Sequence, residues 1–439
     1  LLYRSLQQPA YRRHWGERFG IGLPSFKDEG PPLIWIHAVS LGETRALTSL
    51  LPAIANRYPE HRLLLTHGTP TGREAGAELL KPLADAFAET QQCYMPYDQQ
   101  TAVDRFFECY NPKIGLVIET EVWPMLMARA KAHGVLMLLV SARLSEKSLS
   151  KAQQTRRLIE PALNAFDRIL CQTENDMQRI LQLAPSAKCQ VCGNLKFDAK
   201  LSEVMIRQGL QWRTVHENDL EIPMDHHGFV DFESQSKSSG PDRQVRRWLL
   251  AASTREREEE LLLKQWQALH EAGKQGTVLV IVPRHPQRFA EIAQVLEQYC
   301  PARWIRRSDS SFPRLGPSIQ VVLGDSMGEM AAWYALADVV VMGGSLINSG
   351  SQNLIEACAA GKPVILGPSI YNFEQAAKQA IDAGAALQTE SSQVLKLALE
   401  LADQPGRCQT MGENARRFVA CHQGATECVI SVLKALRSF

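Results

Sequence analysis

Apolar and polar positions fall in blocks along this chain. Short runs rich in valine, isoleucine and leucine recur, and polar, glycine-containing loops follow them. The clear runs are Leu33 to Val39, Arg62 to Thr66, Ile114 to Ile118, Val135 to Val140, Arg168 to Cys171 and the short Gln190 to Cys192. Later come Trp248 to Ala252, Thr277 to Val282, Val321 to Gly324, Asp338 to Met342 and Pro363 to Leu366. Apolar runs of this length, not alternating with polar residues, read as strands buried on both faces. Helical stretches lie between them: Thr44 towards Asn56, a glutamate-rich helix after Arg255, a short helix opened by Asn353 and stopped by Gly361, and a last apolar helix from Val429 to Leu436. The alternation predicts an α/β fold with parallel sheets.

At 439 residues, two domains are expected. The first runs over 1–205. Residues 206–244 read as a linker whose 223–243 stretch is polar, aperiodic and contains Ser, Gly and Pro, a flexible insertion. The second domain covers 245–439. Net charge is +1, which disfavours a nucleic-acid binder. The ten cysteines are scattered. Cys171, Cys358 and Cys428 sit in apolar runs, which suits reduced core thiols. Cys189 and Cys192 form one isolated CxxC, and His226–His227 lies in the insertion; neither predicts a metal site. HExxH, Walker, GxGxxG and GxSxG motifs are absent from the sequence. No window reaches the roughly 18 apolar residues of a membrane span. Within residues 1–24, Arg4, Arg12, Arg13 and Arg18 mix with Tyr11, Trp15 and Phe19. That mixture suits either a membrane–water interface or a helix packing its aromatics on the first domain.

The candidate polar residues share one placement. Glu43, Glu119, Lys196, Ser253, Arg284, Glu329 and Ser345 each fall just after an expected strand. Open parallel sheets bind ligands at their carboxyl ends, so two sheets facing each other would line one cleft with all seven. Glu43 stands where strand becomes helix, and the helix dipole there favours its ionised form. The same position also suits a plain stabilising first-turn glutamate. Thr69, Thr71 and Gly72 either line an acceptor cleft or serve a turn. Arg284 can grip a phosphate with two hydrogen bonds. The amides at the Asn353 helix start favour an anion, and Glu356 one turn in can bond ribose hydroxyls; an ordinary strand–helix connection is the other reading.

The stretch GGSLINSGSQNLIEACAAGKPVILGP (343–368) resembles the nucleotide side of two-domain GT-B glycosyltransferases. Its form G-G-S-L, N-x-x-E, P-V-x-x-G-P is similar to the family that transfers 3-deoxy-D-manno-octulosonic acid (Kdo) to the lipid A precursor. YRRHWGERFG, HAVSLGETRA, ETEVWP, GNLKFD, VPRHPQRF and GDSMGE match that family in order. The resemblance implies two Rossmann-like domains facing across a cleft, the last helix crossing back to the first. It implies inverting transfer from CMP-Kdo to lipid IVA without metal or cofactor, at the cytoplasmic face of the inner membrane. An N-terminal anchor would then be absent from this chain, which starts at Leu1. Glu43 would be the general base, Glu119 would assist, and Lys196 would stabilise the transition state. Donor contacts would come from Pro283, Arg284, Met327, Gly328, Glu329, Ser345, Asn353, Leu354, Ile355 and Glu356. Ser40, Gly42, Thr69 and Thr71 would lie on the acceptor side. The chain departs from the family's S-T-H-x-G-E-E, carrying Arg255 and Arg257 for the histidine and glycine. A sugar-nucleotide epimerase and a non-enzymatic two-lobed binding protein remain as rivals.

Overall fold

The computed structural model describes residues 9–27, 30–217, 246–271 and 276–436. Arg4, the 223–243 insertion and His226–His227 lie outside them. Two compact units divide the chain: Leu1–Lys200 with His422–Phe439, and Leu201–Cys421.

In the first unit, β1 (Leu33–His37), β2 (Arg62–His67), β3 (Glu89–Tyr94), β4 (Ile114–Ile118), β5 (Leu136–Ala142), β6 (Arg168–Cys171) and β7 (Cys189–Val191) form one sheet. Its order is β3-β2-β1-β4-β5-β6-β7, all parallel. Alternate residues of β1 feed opposite cores: Leu33 and Trp35 one layer, Ile34 and Ile36 the other. Both layers are covered by helices, so the central strands are largely apolar, as their runs imply.

The second unit repeats the plan. Here β8 (Arg247–Thr254), β9 (Thr277–Pro283), β10 (Trp304–Arg306), β11 (Val321–Leu323), β12 (Val339–Met342), β13 (Val364–Leu366) and β14 (Ala386–Gln388) pair in the order β10-β11-β9-β8-β12-β13-β14. Each unit is Rossmann-like, a doubly wound parallel sheet.

Several elements differ from expectation. The helix expected from Thr44 to Asn56 is two, Leu41–Ala46 and Leu50–Arg57. Pro52 lacks the N–H that would bond the Thr48 carbonyl in one continuous helix, and in the turn between the two helices the Thr48 hydroxyl donates to Arg45 O (2.6 Å). The linker begins as the Glu203–Glu217 helix, which packs on Met330–Leu336 of the second unit. Gly209 permits this approach, since a Cβ there would come within 2.1 Å of Ala332 O. The last helix, expected from Val429 to Leu436, runs over Ala425–Ala435 and belongs to the first unit. Its Val429 and Leu433 join the core layer of Leu51 and Ile54, and Asp198 Oδ1 accepts Gly424 N (2.8 Å). Cys428 is not a free thiol. It is disulfide-bonded to Cys192, while Cys189 packs in the other core layer, so the CxxC pair is split across the sheet.

Candidate functional site

In the first sheet the strand order reverses between β1 and β4, the switch point where doubly wound sheets open a crevice. Glu43 follows β1, and Glu119 follows β4. Ser40 caps the Leu41–Ala46 helix, its Oγ accepting Glu43 N (3.4 Å). The Glu43 carboxylate folds back to accept Val39 N (2.6 Å) and Ser40 Oγ (2.9 Å). This is close to a capping box, with the carboxylate taking the amide of Val39 rather than that of the Ser40 cap itself. Burial and then the nearby Glu119 charge raise the Glu43 pKa to about 7. The helix-dipole argument expected an ionised group; desolvation and like charge outweigh it, and Glu43 is poised near neutrality instead.

Glu119 has a left-handed backbone (φ 64°), a strain of about 1–2 kcal/mol for a residue with a Cβ. Its N–H donates to Val140 O (2.9 Å), and its carboxylate is ion-paired with Lys196 Nζ. The structure thus joins two residues 77 positions apart in sequence. Glu121, its pKa raised first by burial, accepts Trp123 Nε1 (2.6 Å). Trp123 packs edge-on against His37 (5.9 Å), and burial drops His37 to about 3, so it carries no charge here. Gly42 and Thr71 are exposed at this end of the sheet. Thr69 is a cap rather than a free cleft hydroxyl: its Oγ1 accepts Gly72 N (3.1 Å) and donates to Val39 O (3.2 Å).

The second sheet switches between β8 and β12. Beyond β12 the Gly343–Gly344 turn brushes Ser253: a Cβ on Gly343 would lie 2.4 Å from Ser253 O, so no other residue fits. Buried Glu258 pins the loop. Its carboxylate accepts Gly344 N (2.7 Å), Leu346 N (2.9 Å) and Arg255 N (2.8 Å). Glu258 had no assigned role from sequence; its glutamate-rich context hid it. Ser345 is not a ligand contact. It is fully buried, its hydroxyl donating to Met342 O and accepting Gly367 N (2.8 Å). Leu354, Ile355 and Pro283 also turn inward, so their side chains serve the core.

Arg284 Nε donates to Gln352 Oε1 (3.2 Å). Asn353 stands just ahead of the short Ile355–Ala359 helix, its Oδ1 accepting Ile355 N (3.1 Å) and its Nδ2 donating to Glu356 Oε1 (3.1 Å). Arg255 Nη1 lies 2.9 Å from His285 Nε2. Burial, then Arg255 and Arg284, lower the His285 pKa, so the two guanidiniums share a corner with a neutral ring. Glu329 is held by Arg307 through two hydrogen bonds (3.0 and 3.1 Å) and by Ser326. Met327 is 55% exposed, on a turn completed by Gly328 at φ 82°. A cavity of about 460 Å³ opens beside the glycine loop, lined by Leu346, Asn348, Pro368, Tyr371 and Glu374 among others.

The N-terminal arginines divide. Arg18 is buried (3% exposed), donating to Gly68 O (2.9 Å) and lying over the Tyr94 ring (4.1 Å). Neighbouring Glu17 accepts Tyr94 N (2.7 Å) and pairs with Arg73. Arg18 therefore docks this segment on its own domain and is no membrane contact. Arg12, Arg13, Trp15, Phe19 and Ile21 remain exposed. Among the described residues, no helix is long and apolar enough to cross a membrane.

Two Rossmann-like units, each with charged side chains gathered at its sheet switch point, define the GT-B class of fold. UDP-GlcNAc 2-epimerase from Neisseria meningitidis, solved with UDP-GlcNAc bound, shares it: TM-score 0.58 at 14% identity, over 92% of this chain and all of that one (100%). Sequence relatives go further. The family described as 3-deoxy-D-manno-octulosonic-acid transferase (kdotransferase) matches residues 13–199. The 3-deoxy-D-manno-octulosonic acid transferase of Bordetella pertussis is 42% identical over 404 residues, 91% of this chain and 86% of its own. That of Haemophilus influenzae is 29% identical over 434 residues, 98% of this chain and 93% of its own. The chain belongs to the Kdo transferase family and is a glycosyltransferase. The epimerase and binding-protein readings fall away.

Proposed function

We propose that this protein moves Kdo from CMP-Kdo to the lipid A precursor, lipid IVA, in lipopolysaccharide biosynthesis, with inversion at the anomeric carbon. The observation that carries the reading is Glu43, poised at about 7 beside the Glu119–Lys196 pair. An acceptor hydroxyl must lose its proton as its oxygen attacks the anomeric carbon. A carboxylate with a pKa near working pH is a good base for that step. The bond from the anomeric carbon to the CMP phosphate breaks in the same displacement, with no covalent intermediate. CMP departs as an anion. Arg284 and the amides near Asn353 in the second unit can bear that charge, and Lys196 can offset charge in the first. These side chains meet the charge without a metal, and the scheme needs no cofactor. Glu356 suits the ribose hydroxyls.

The acceptor is a lipid, and exposed Trp15, Phe19, Arg12 and Arg13 suit a membrane surface. Incubating the protein with CMP-Kdo and lipid IVA, then weighing the lipid by mass spectrometry, tests the reading. A gain of one or more Kdo residues is expected; unchanged lipid with hydrolysed CMP-Kdo would overturn it.

A further inference from the structure

Lys196 is held from two sides. Its ammonium meets Glu119, and its backbone is fastened by a separate set of amides. Lys196 N donates to Asn194 Oδ1 (3.0 Å), and Asn194 Nδ2 donates to Gln172 Oε1 (3.2 Å). Gln172 Nε2 in turn donates to Ser141 O (3.0 Å), while Ser141 Oγ accepts Leu195 N (3.1 Å). Ser141 is 3% exposed and left-handed (φ 53°). It marks the irregularity in β5 where the register against β6 slips between Val140 and Ala142. The slip frees its carbonyl from the ladder and turns it to Gln172. The preceding residue, Val140, gives its carbonyl to Glu119 N. Both partners of the ion pair are therefore moored to adjacent residues of one strand, Glu119 directly, Lys196 through Gln172 and Asn194 and, one residue earlier, through Leu195 N on the Ser141 hydroxyl.

We propose that Gln172 is a positioning residue: it bridges Ser141 and Asn194 and so holds Lys196 against Glu119. The proposal rests on the reading that Glu119 and Lys196 serve the transfer. Glutamine suits the place because it donates to a carbonyl with one end and accepts an amide with the other. Its effect reaches Glu43 by charge. The carboxylates facing Glu43 are Glu119 and Glu121. Lys196 is paired with Glu119, and His67, which contacts Thr44 on the Glu43 helix (3.4 Å), is kept neutral by burial. When Lys196 drifts from Glu119, the Glu119 charge is left less compensated. Glu43 then ionises at higher pH.

Kdo transfer from CMP-Kdo to lipid IVA is measured across pH for the full chain, for Gln172→Met, for Lys196→Ala and for the double variant. Gln172→Met should lower kcat by roughly ten- to hundredfold, the scale of a small misplacement of a working group. It should leave KM for CMP-Kdo near normal and move the acid limb of the profile to higher pH. Added to Lys196→Ala, it should cost nothing more, because it acts through Lys196. An unmoved acid limb, or a full additive loss in the double variant, would overturn the proposal. Gln172→Met at the wild-type rate beside a slow Lys196→Ala overturns this positioning role alone. A wild-type rate for Lys196→Ala overturns the underlying reading as well. If Gln172→Met does not fold, Asn194→Ser keeps an oxygen for Lys196 N, lacks the link to Gln172, and is judged by the same outcomes.

Discussion

Glu43→Gln separates a base from a cap. Glutamine keeps the shape of the side chain and one oxygen for the Val39 N–H, while the Ser40 hydroxyl can rotate to accept from the new amide. The local cost is that of a weakened cap, about 1 kcal/mol. Stability should carry a second signature. Glu43 is raised from 4.5 to about 7, which corresponds to about 3 kcal/mol. For a raised carboxyl, wild-type stability is full below about pH 4.5 and is lost as pH rises through about 7. Glutamine does not ionise and escapes that loss. Between pH 5 and pH 8.5 the variant should therefore gain on the wild type in melting temperature. Turnover should move the other way, falling by roughly 10²–10⁴, with CMP affinity near normal by calorimetry. Wild-type activity should rise with pH through about 7 as the base ionises. A Gln variant that turns over near the wild-type rate would refute the assignment and pass the role to Glu119. A variant inactive because it melts at every pH would show that Glu43 is a structural cap.

Arg284→Ala and Glu356→Ala should each weaken CMP binding roughly ten- to hundredfold, the value of a charged hydrogen bond; unchanged calorimetric affinity in both would remove the phosphate and ribose grips. Anionic vesicles should bind the protein, less so in high salt, and Arg12→Gln with Arg13→Gln should weaken that binding in sedimentation. Arg18→Gln should instead lower the melting temperature, since its guanidinium is spent on Gly68 and Tyr94; loss of vesicle binding without loss of stability would contradict its burial. Arg257 holds φ 75° where the family pattern has glycine, so Arg257→Gly should be neutral or stabilise by up to about 1 kcal/mol; marked destabilisation on denaturation would show that the arginine side chain has a partner worth more than the strain.

Most central strands were legible because burial on both faces leaves apolar runs that no other element explains. The misses lie at the edges. β3 reads Glu-Thr-Gln-Gln-Cys-Tyr and carries no such run, because an edge strand meets neighbours on one side alone. β10 and β14 are three residues each, too short to show a period. Glu43 and Glu119 were visible as residues that follow strands, and a stabilising first-turn role for Glu43 was open beside the catalytic one. The raised pKa of Glu43 was not, because the cost of burial depends on what covers a carboxyl. Ser345 failed for the same reason: a serine after a strand looks like a ligand contact until Gly367 is seen to claim its hydroxyl. Arg18 looked like its neighbours Arg12 and Arg13, and Tyr94, which buries it, lies 76 residues further along the chain. The Gln172 bridge could not be read at all, since it depends on a register slip in β5.

The placement of the Ala425–Ala435 helix sets an order on biosynthesis. Ribosomes deliver a chain from its amino end, and domains generally fold as they emerge. The first unit lacks part of its core until its last helix is made. Leu51 and Ile54 wait for Val429 and Leu433, which appear after every residue of the second unit has been made. Until then one face of the nascent first sheet stays partly bare, a surface suited to chaperone capture. A chain broken off between Cys421 and Ala425 would carry a whole second unit and an unfinished first.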